Sequence, residues 1–233
     1  LSCSERALDI HANIGYDKNK FQLIDNGFNL NELKFDQKLR EIFRKKYEIQ
    51  DDEFIFGMVA RWDPQKDFKN LINSINLFFQ KDEKNVRFFL AGPNIQINNQ
   101  DLTKLIPENL TNKIELLGNF TNIRSFMNGI DCHVLSSAGN EGFPNVIGEA
   151  MACEVPCIST DVGDVSKLIF DKNWIVPTSS PMLFCRKMED IYNLSKKNKL
   201  RIKDMGKESR EHILRNFDIE KIIHKYHFNW FST

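Results

Sequence analysis

The chain has 233 residues, 41% of them hydrophobic, enough to bury a sizeable core in one domain with appendages. Lysine plus arginine balances aspartate plus glutamate at 32 each, so no global field draws the chain to nucleic acid or to an anionic membrane surface, and any anion site must be local. No apolar run approaches the roughly 20 residues that span a bilayer, and the five cysteines (Cys3, Cys132, Cys153, Cys157, Cys185) show no CxxC pair and no histidine at metal-like spacing, which predicts reduced thiols in a cytosolic protein and no metal site.

The opening LSCSERALDI carries neither a basic leader nor an initiator methionine and reads as the continuation of something longer. His11, in ALDIHANIGY, has the chemistry of a general base, but its segment lies outside the candidate site and reads as a helix surface or linker. FQLID (Phe21 to Asp25) is predicted to be a short buried strand ending in the turn Asn26-Gly27, and FDQKLREIFRKKY carries apolar residues at helical spacing. FIFGMVA is a strand that ends at RWDPQKD. The segment FKNLINSINLFF follows, with Leu71, Ile72, Ile75, Leu77 and Phe78 at near-helical spacing.

The same unit recurs. VRFFLAG is a strand before a helix near Leu102 to Ile106, KIELLG a strand before IRSFMNGI, and DCHVLSS a strand before PNVIGEAMA. PCIST and a shorter WIVP follow as strands, and from Pro181 onward only helical patterns remain. Alternating strands and helices imply an α/β fold, a Rossmann-like parallel sheet with helices on both faces and a helical C-terminal end. His133 sits inside a strand and reads as a core residue. His212, His224 and His227 fall in helices rich in lysine and arginine, and Cys153 and Cys157 straddle a helix end as core thiols.

Ligands of open parallel sheets lie beyond the carboxyl ends of the strands, where loops enter helix N-termini. Arg61 ends FIFGMVA, Gly92 ends VRFFLAG, Gly118 ends KIELLG, and Gly139 to Pro144 follow DCHVLSS, so the unusual residues converge on one crevice. In NEGFPNVIGEA, Pro144 suits the first position of a helix. The helix-opening amides can hold an anion, and Gly142 lets backbone approach it. Glu149 then lies roughly 7 Å further along the axis, too far from Glu141 for a touching acid/base pair. Carboxylates only accept hydrogen bonds and suit vicinal hydroxyls, whereas Arg61 and Lys66 suit phosphate. Each residue alone has an ordinary reading: a dipole-complementing or solvent-facing glutamate, a cation paired with Asp63 or Asp67. Together, at adjacent strand ends, the order carboxylate, phosphates, carboxylate describes a clamp for a nucleotide sugar.

These residues resemble the retaining family 4 glycosyltransferases of the GT-B fold, specifically their C-terminal, donor-binding half. FGMVARWDPQKDFKNLINSINLF, FFLAGP, IELLGNFTNI and VLSSAGNEGFPNVIGEAMACEVPCISTDVGD carry the resemblance, with LIDNGFNLNELKF upstream, over roughly Phe21 to Val176. The resemblance implies transfer of a sugar from a nucleoside diphosphate sugar to an acceptor with retention of configuration. Arg61 and Lys66 would neutralise the leaving diphosphate, and Glu141 would meet the donor sugar. Glu149 would take the ribose hydroxyls, the amides of Phe143, Asn145 and Val146 the phosphate or sugar, and the loop at Asn119 and Phe120 would lie near the base. No cofactor and no metal are implied beyond the nucleotide sugar itself.

By the same resemblance residues 1–20 are a remnant of, or linker from, a missing N-terminal acceptor domain, 21–215 the donor domain, and 216–233 a C-terminal helix packing toward the missing part. A saccharide or lipid-linked acceptor would bind that missing domain, in a cytoplasmic parent protein whose attachment to the inner membrane face would be peripheral, and bacterial surface polysaccharide synthesis is the implied setting. Asp67 and Glu154 stand where the family has glycines. Two rival readings are a nucleotide-sugar epimerase, which needs an acid/base set at the sugar not evident here, and a non-catalytic nucleotide-binding domain.

Overall fold

The computed structural model describes residues 1–80 and 82–231. Its centre is a six-stranded, wholly parallel sheet in the order β3-β2-β1-β4-β5-β6. The strands are β1 (Phe54–Val59), β2 (Val86–Ala91), β3 (Ile114–Leu116), β4 (Cys132–Leu135), β5 (Cys157–Thr160) and β6 (Ile175–Val176). The helices are α1 (Glu5–Asn13), α2 (Gln37–Lys46), α3 (Phe68–Phe79), α4 (Gln100–Thr103), α5 (Ile123–Gly129), α6 (Asn145–Ala152), α7 (Val165–Leu168), α8 (Pro181–Lys197), α9 (Lys199–Asn216) and α10 (Ile219–Phe231). Chain order reverses direction across the sheet between β1 and β4, which makes their carboxyl ends the topological switch point where such sheets place ligands.

Helices cover both faces, as strands buried on both sides require. Phe88 and Phe89, adjacent on β2, must point to opposite faces. Phe88 stacks on Phe56 (4.9 Å) and meets Phe78 of α3, while Phe89 packs on Phe43 of α2 (5.8 Å), which in turn touches Phe126 of α5. Side-chain caps start the helices locally: Asp36 accepts from the Leu39 amide, Asp67 from Asn70 and Asn122 from Ser125.

Two expectations need correction. FQLID is not a strand of the sheet; Leu23 makes an isolated parallel bridge with Ser2, because the N-terminal residues dock alongside it. The helix expected near Leu102 to Ile106 runs instead over Gln100–Thr103, started by an Asn99 cap on the Leu102 amide. WIVP does carry a short strand, Ile175–Val176. Asp67 and Glu154 both adopt left-handed backbone (φ 46° and 62°), the conformation that favours glycine. His133 and the thiols of Cys132, Cys153 and Cys157 are buried. Burial pushes the Cys153 thiol up to about 12 and Cys132 and Cys157 upward as well.

Both chain ends return to the domain. α1 buries none of its residues and is held through its first turn. α10 is anchored where Phe28 exchanges backbone bonds with Phe217 and Ile219 (2.8 and 3.0 Å). Residues 232–233 lie outside the described residues.

Candidate functional site

Two loops, after β1 and after β4, build the crevice at the switch point. Past Val59 the Ala60 amide still donates to the Ala91 carbonyl and the Trp62 amide to the Pro93 carbonyl (2.9 Å each), so backbone pairing on both sides of Arg61 fixes where its side chain starts. Asp63 then turns the chain. Its carboxylate accepts from the Gln65 amide, capping a single 3-10 turn at Pro64–Lys66, and from Arg61 Nε, each at 2.9 Å. Those bonds hold the Asp63 carboxyl below its ordinary range. Arg61 remains 55% exposed, so its guanidinium is reachable from solvent.

Lys66 ends that turn, and its ammonium crosses to Glu141 in the β4 loop; the two form an ion pair with each side chain only 13% exposed. Ser137 Oγ donates to the same carboxylate oxygen, Oε1, at 2.7 Å. Behind them, Ser136 Oγ donates to the Lys66 carbonyl (2.8 Å) and the Ala138 amide to the Gln65 carbonyl (2.8 Å). The two loops are thereby joined through backbone as well as through charge.

The loop after β5 holds Glu141 and Gly142 from the other side. Asp164 N–H donates to the Gly142 carbonyl (2.8 Å). Gly163 has φ +51°, and a Cβ on it would lie 2.3 Å from the Gly142 oxygen and 2.6 Å from the Glu141 oxygen, so a side chain there is excluded twice over. A Cβ on Gly142 itself would meet only Ser4 Cβ, at an ordinary 3.5 Å. The Asp164 carboxylate, 3% exposed, accepts from Ser4 Oγ (3.1 Å) and the amides of Glu5 (2.7 Å) and Arg6 (3.2 Å), and pairs with Lys167 (2.9 Å). Burial alone would raise its pKa, but these donors and the lysine outweigh that and hold it low.

Phe143 turns its ring into the core between Phe28 (6.3 Å) and Phe217 (5.5 Å), leaving only its backbone to a ligand. Pro144 stands just before α6 and no side chain among the described residues caps that helix, so its opening amides at Asn145 and Val146 are uncapped. Asn145 is exposed and accepts from Asn26 Nδ2 (2.9 Å). The carboxylate of Glu149, one turn on, has no hydrogen-bond or ion-pair partner among the described residues, and burial raises its pKa. It lines a pocket of about 430 Å3 together with Asn26, Asn145 and Tyr226. A carboxylate in that position is an acceptor in want of hydroxyl donors.

Arg61, Lys66 and Glu141 are thus brought together, with Gly142, Phe143, Asn145, Val146 and Glu149 following along one helix start. Asn119 and Phe120 are not in that group. They follow β3, two strands from β1, where Asn119 is exposed and Phe120 packs edge-on against Phe43 and Phe126. A second cavity, of about 590 Å3, lies at the opposite end of the sheet, where Arg40 and Arg44 are already paired with Asp131. Among the described residues no three metal-ligating side chains converge, and no helix is long and apolar enough to cross a membrane. Sequence reasoning did not single out Ser136, Ser137, Gly163 or Asp164; the available signals were the SS and DVGD segments flanking the glutamate motif.

Residues 40–212 match the family model described as glycosyl transferases group 1. The capsular polysaccharide biosynthesis glycosyltransferase CapM of Staphylococcus aureus is 28% identical over 171 residues, 72% of this chain and 44% of that protein. An uncharacterised glycosyltransferase of Methanocaldococcus jannaschii is 32% identical over 145 residues, 62% of this chain and 34% of that one. The chain therefore spans less than half the length of these curated relatives. Among solved structures, Anabaena HepE in complex with UDP and glucose superposes with a TM-score of 0.84 at 20% identity, covering 100% of this chain and 62% of that one. TarM of S. aureus, in complex with UDP and other ligands, gives 0.80 at 22% identity, covering 100% and 43%.

Proposed function

The chain belongs to the group 1 glycosyltransferases, and on that premise we propose that it is the donor-binding half of an enzyme that transfers a sugar from a nucleoside diphosphate sugar with retention of configuration. The observation that carries this reading is the meeting of Lys66 and Glu141 at the carboxyl ends of β1 and β4, with Arg61 open beside them and the α6 amides uncapped below. Negative charge develops on the leaving diphosphate, and preorganised cations placed where it appears stabilise the transition state. Arg61 and Lys66 have that role, helped by the amides of Asn145 and Val146.

Glu141 receives the hydroxyls of the donor sugar, and Glu149 those of the ribose. The Asn119–Phe120 loop lies toward the base. Because side-chain cations and helix amides supply the positive charge, transfer needs no metal ion.

The acceptor, a saccharide or a lipid-linked one, binds a domain outside this chain. The exposed apolar residues of α1 and its C-cap (Ile10, Ile14) and of α10 (Ile223, Phe228, Trp230) are the surfaces that would face it. Synthesis of a bacterial surface polysaccharide is the setting suggested by the likeness to CapM. Calorimetric titration with UDP, GDP and ADP tests the reading: one nucleotide binds saturably, and binding is lost in the Arg61→Ala, Lys66→Ala double variant. Binding that survives in the double variant would remove the diphosphate from this crevice.

A further inference from the structure

Two consecutive hydroxyls at the end of β4 divide the work of holding the charged pair. Ser136 and Ser137 are both fully buried. Ser136 Oγ donates to the carbonyl of Lys66 at 2.8 Å, with the Asp67 carbonyl further off at 3.3 Å, so it fixes the backbone from which the lysine springs. Ser137 Oγ donates to Glu141 Oε1 at 2.7 Å, so it fixes the carboxylate. The strand end itself is pinned, because buried Thr160 Oγ1 donates to the Ser137 carbonyl at 2.6 Å.

Glu141 Oε1 therefore has two donors, Lys66 Nζ and Ser137 Oγ, while no described residue donates to Oε2. An arriving diphosphate competes for Lys66 but has nothing to offer Ser137, since the hydroxyl is buried behind the carboxylate. We infer that Ser136 and Ser137 are positioning residues: Ser137 keeps Glu141 in place once Lys66 turns to the diphosphate, leaving Oε2 directed at the sugar, and Ser136 sets the reach of Lys66. This rests on the donor-site reading above and adds a division of labour to it. A buried hydroxyl bonded to an ionised carboxylate is among the stronger hydrogen bonds available and needs no reorganisation on binding.

The inference separates two affinities. With UDP and UDP-glucose as probes, Ser137→Ala leaves UDP affinity unchanged and lowers UDP-glucose affinity about tenfold, to the level of Glu141→Ala, while Ser137→Thr restores it. Equal loss of both affinities, or loss of neither, overturns it. A second measurement needs no donor: in a denaturation cycle of Ser137→Ala, Glu141→Ala and the double variant, Ser137→Ala shifts the unfolding constant about tenfold in the presence of Glu141 and much less in its absence. If the wild-type chain binds neither probe, the donor-site reading fails with these ligands, and the cycle alone decides the positioning role: coupling supports it and additivity overturns it.

Discussion

The ammonium of Lys66 and the carboxylate of Glu141, 75 residues apart, meet as an ion pair at the switch point of the sheet, each side chain 13% exposed. Each charge is the other's partner: the group proposed to take the diphosphate is paired with the group proposed to take the sugar. Binding of a nucleotide sugar exchanges one partner for another and leaves neither charge stranded, which is the condition for placing two ions in a half-dry crevice.

Removing one partner has opposite effects on fold and ligand. Lys66→Ala strands Glu141 with Ser137 as its remaining donor and destabilises by about 2 kcal/mol, below the roughly 3–5 kcal/mol of a fully buried pair. Glu141→Gln frees Lys66 for anions, so UDP binds severalfold tighter while the extra affinity for a UDP sugar disappears. Calorimetry on the two variants reads both signs. Weaker UDP binding by Glu141→Gln would mean that the carboxylate aids the lysine instead of competing with it.

Asp164 joins the first turn of α1 to the loop that carries Glu141. Its carboxylate takes Ser4 Oγ and two amides, while its own amide holds the Gly142 carbonyl. Asp164→Ala strands those donors and costs about 3 kcal/mol of local stability, since hydrogen bonds to a charged acceptor are worth about 1.5–3 kcal/mol each before partial rehydration. Amide hydrogen exchange over α1 should accelerate sharply while β1 and β4 stay protected. Unchanged exchange in α1 would show that other contacts hold it.

Much of this was legible. The order of strand, loop and helix from Phe54 onward follows from apolar runs punctuated by Gly, Pro and Asp, and Arg61, Lys66 and Glu141 stand out as charges in strand-end loops, with Glu149 a turn into the helix that follows. The roles of Ser136, Ser137 and Asp164 exist only after folding: Ser4 and Asp164 are 160 residues apart, and no local pattern announces such a bond. FQLID misleads for a related reason. Of its apolar residues only Ile24 is buried (1% exposed), while Leu23 stays 38% exposed and pairs with Ser2 alone, so the apolar run marks one anchored residue without a place in the sheet.

Glu154 and Asp67 occupy left-handed backbone, but they do not incur the same strain. A β-carbon in that region costs about 1–2 kcal/mol, less for aspartate, whose short side chain can bond locally; Asp67 does so by capping the Asn70 amide at 3.0 Å. Glu154→Gly is therefore expected to stabilise the chain by about 1 kcal/mol, the unfolded-state entropy of glycine offsetting part of the relief. Asp67→Gly gains little, because the cap is lost with the strain. Urea denaturation midpoints test the ranking, and an Asp67→Gly gain larger than that of Glu154→Gly would contradict it.

His133 lies in the middle of β4, fully buried, opposite Gly57 of β1, with the Val59 amide 3.4 Å from its Nε2 and no partner for Nδ1 among the described residues. Burial lowers its pKa to about 3, from 6.5 in the unfolded chain. Above 6.5 the ring is neutral in both states and its protonation does not bear on stability. As pH falls below 6.5 the unfolded chain takes up a proton that the folded chain refuses, so stability declines, by at most about 1.4 kcal/mol per pH unit, until the folded ring also protonates near 3. The depressed carboxyl of Asp164 adds a loss only lower down, below its ordinary value of 3.8. Glu149, whose buried carboxyl lies above its ordinary 4.5, works the other way and recovers stability as pH falls through that range, so between pH 6 and 4 the decline belongs to the histidine. His133→Gln, which keeps a hydrogen-bond acceptor for Val59 without a titrating ring, should flatten the pH dependence of the denaturation midpoint in that interval. Equal slopes in the variant and the parent chain would assign the acid loss to other groups.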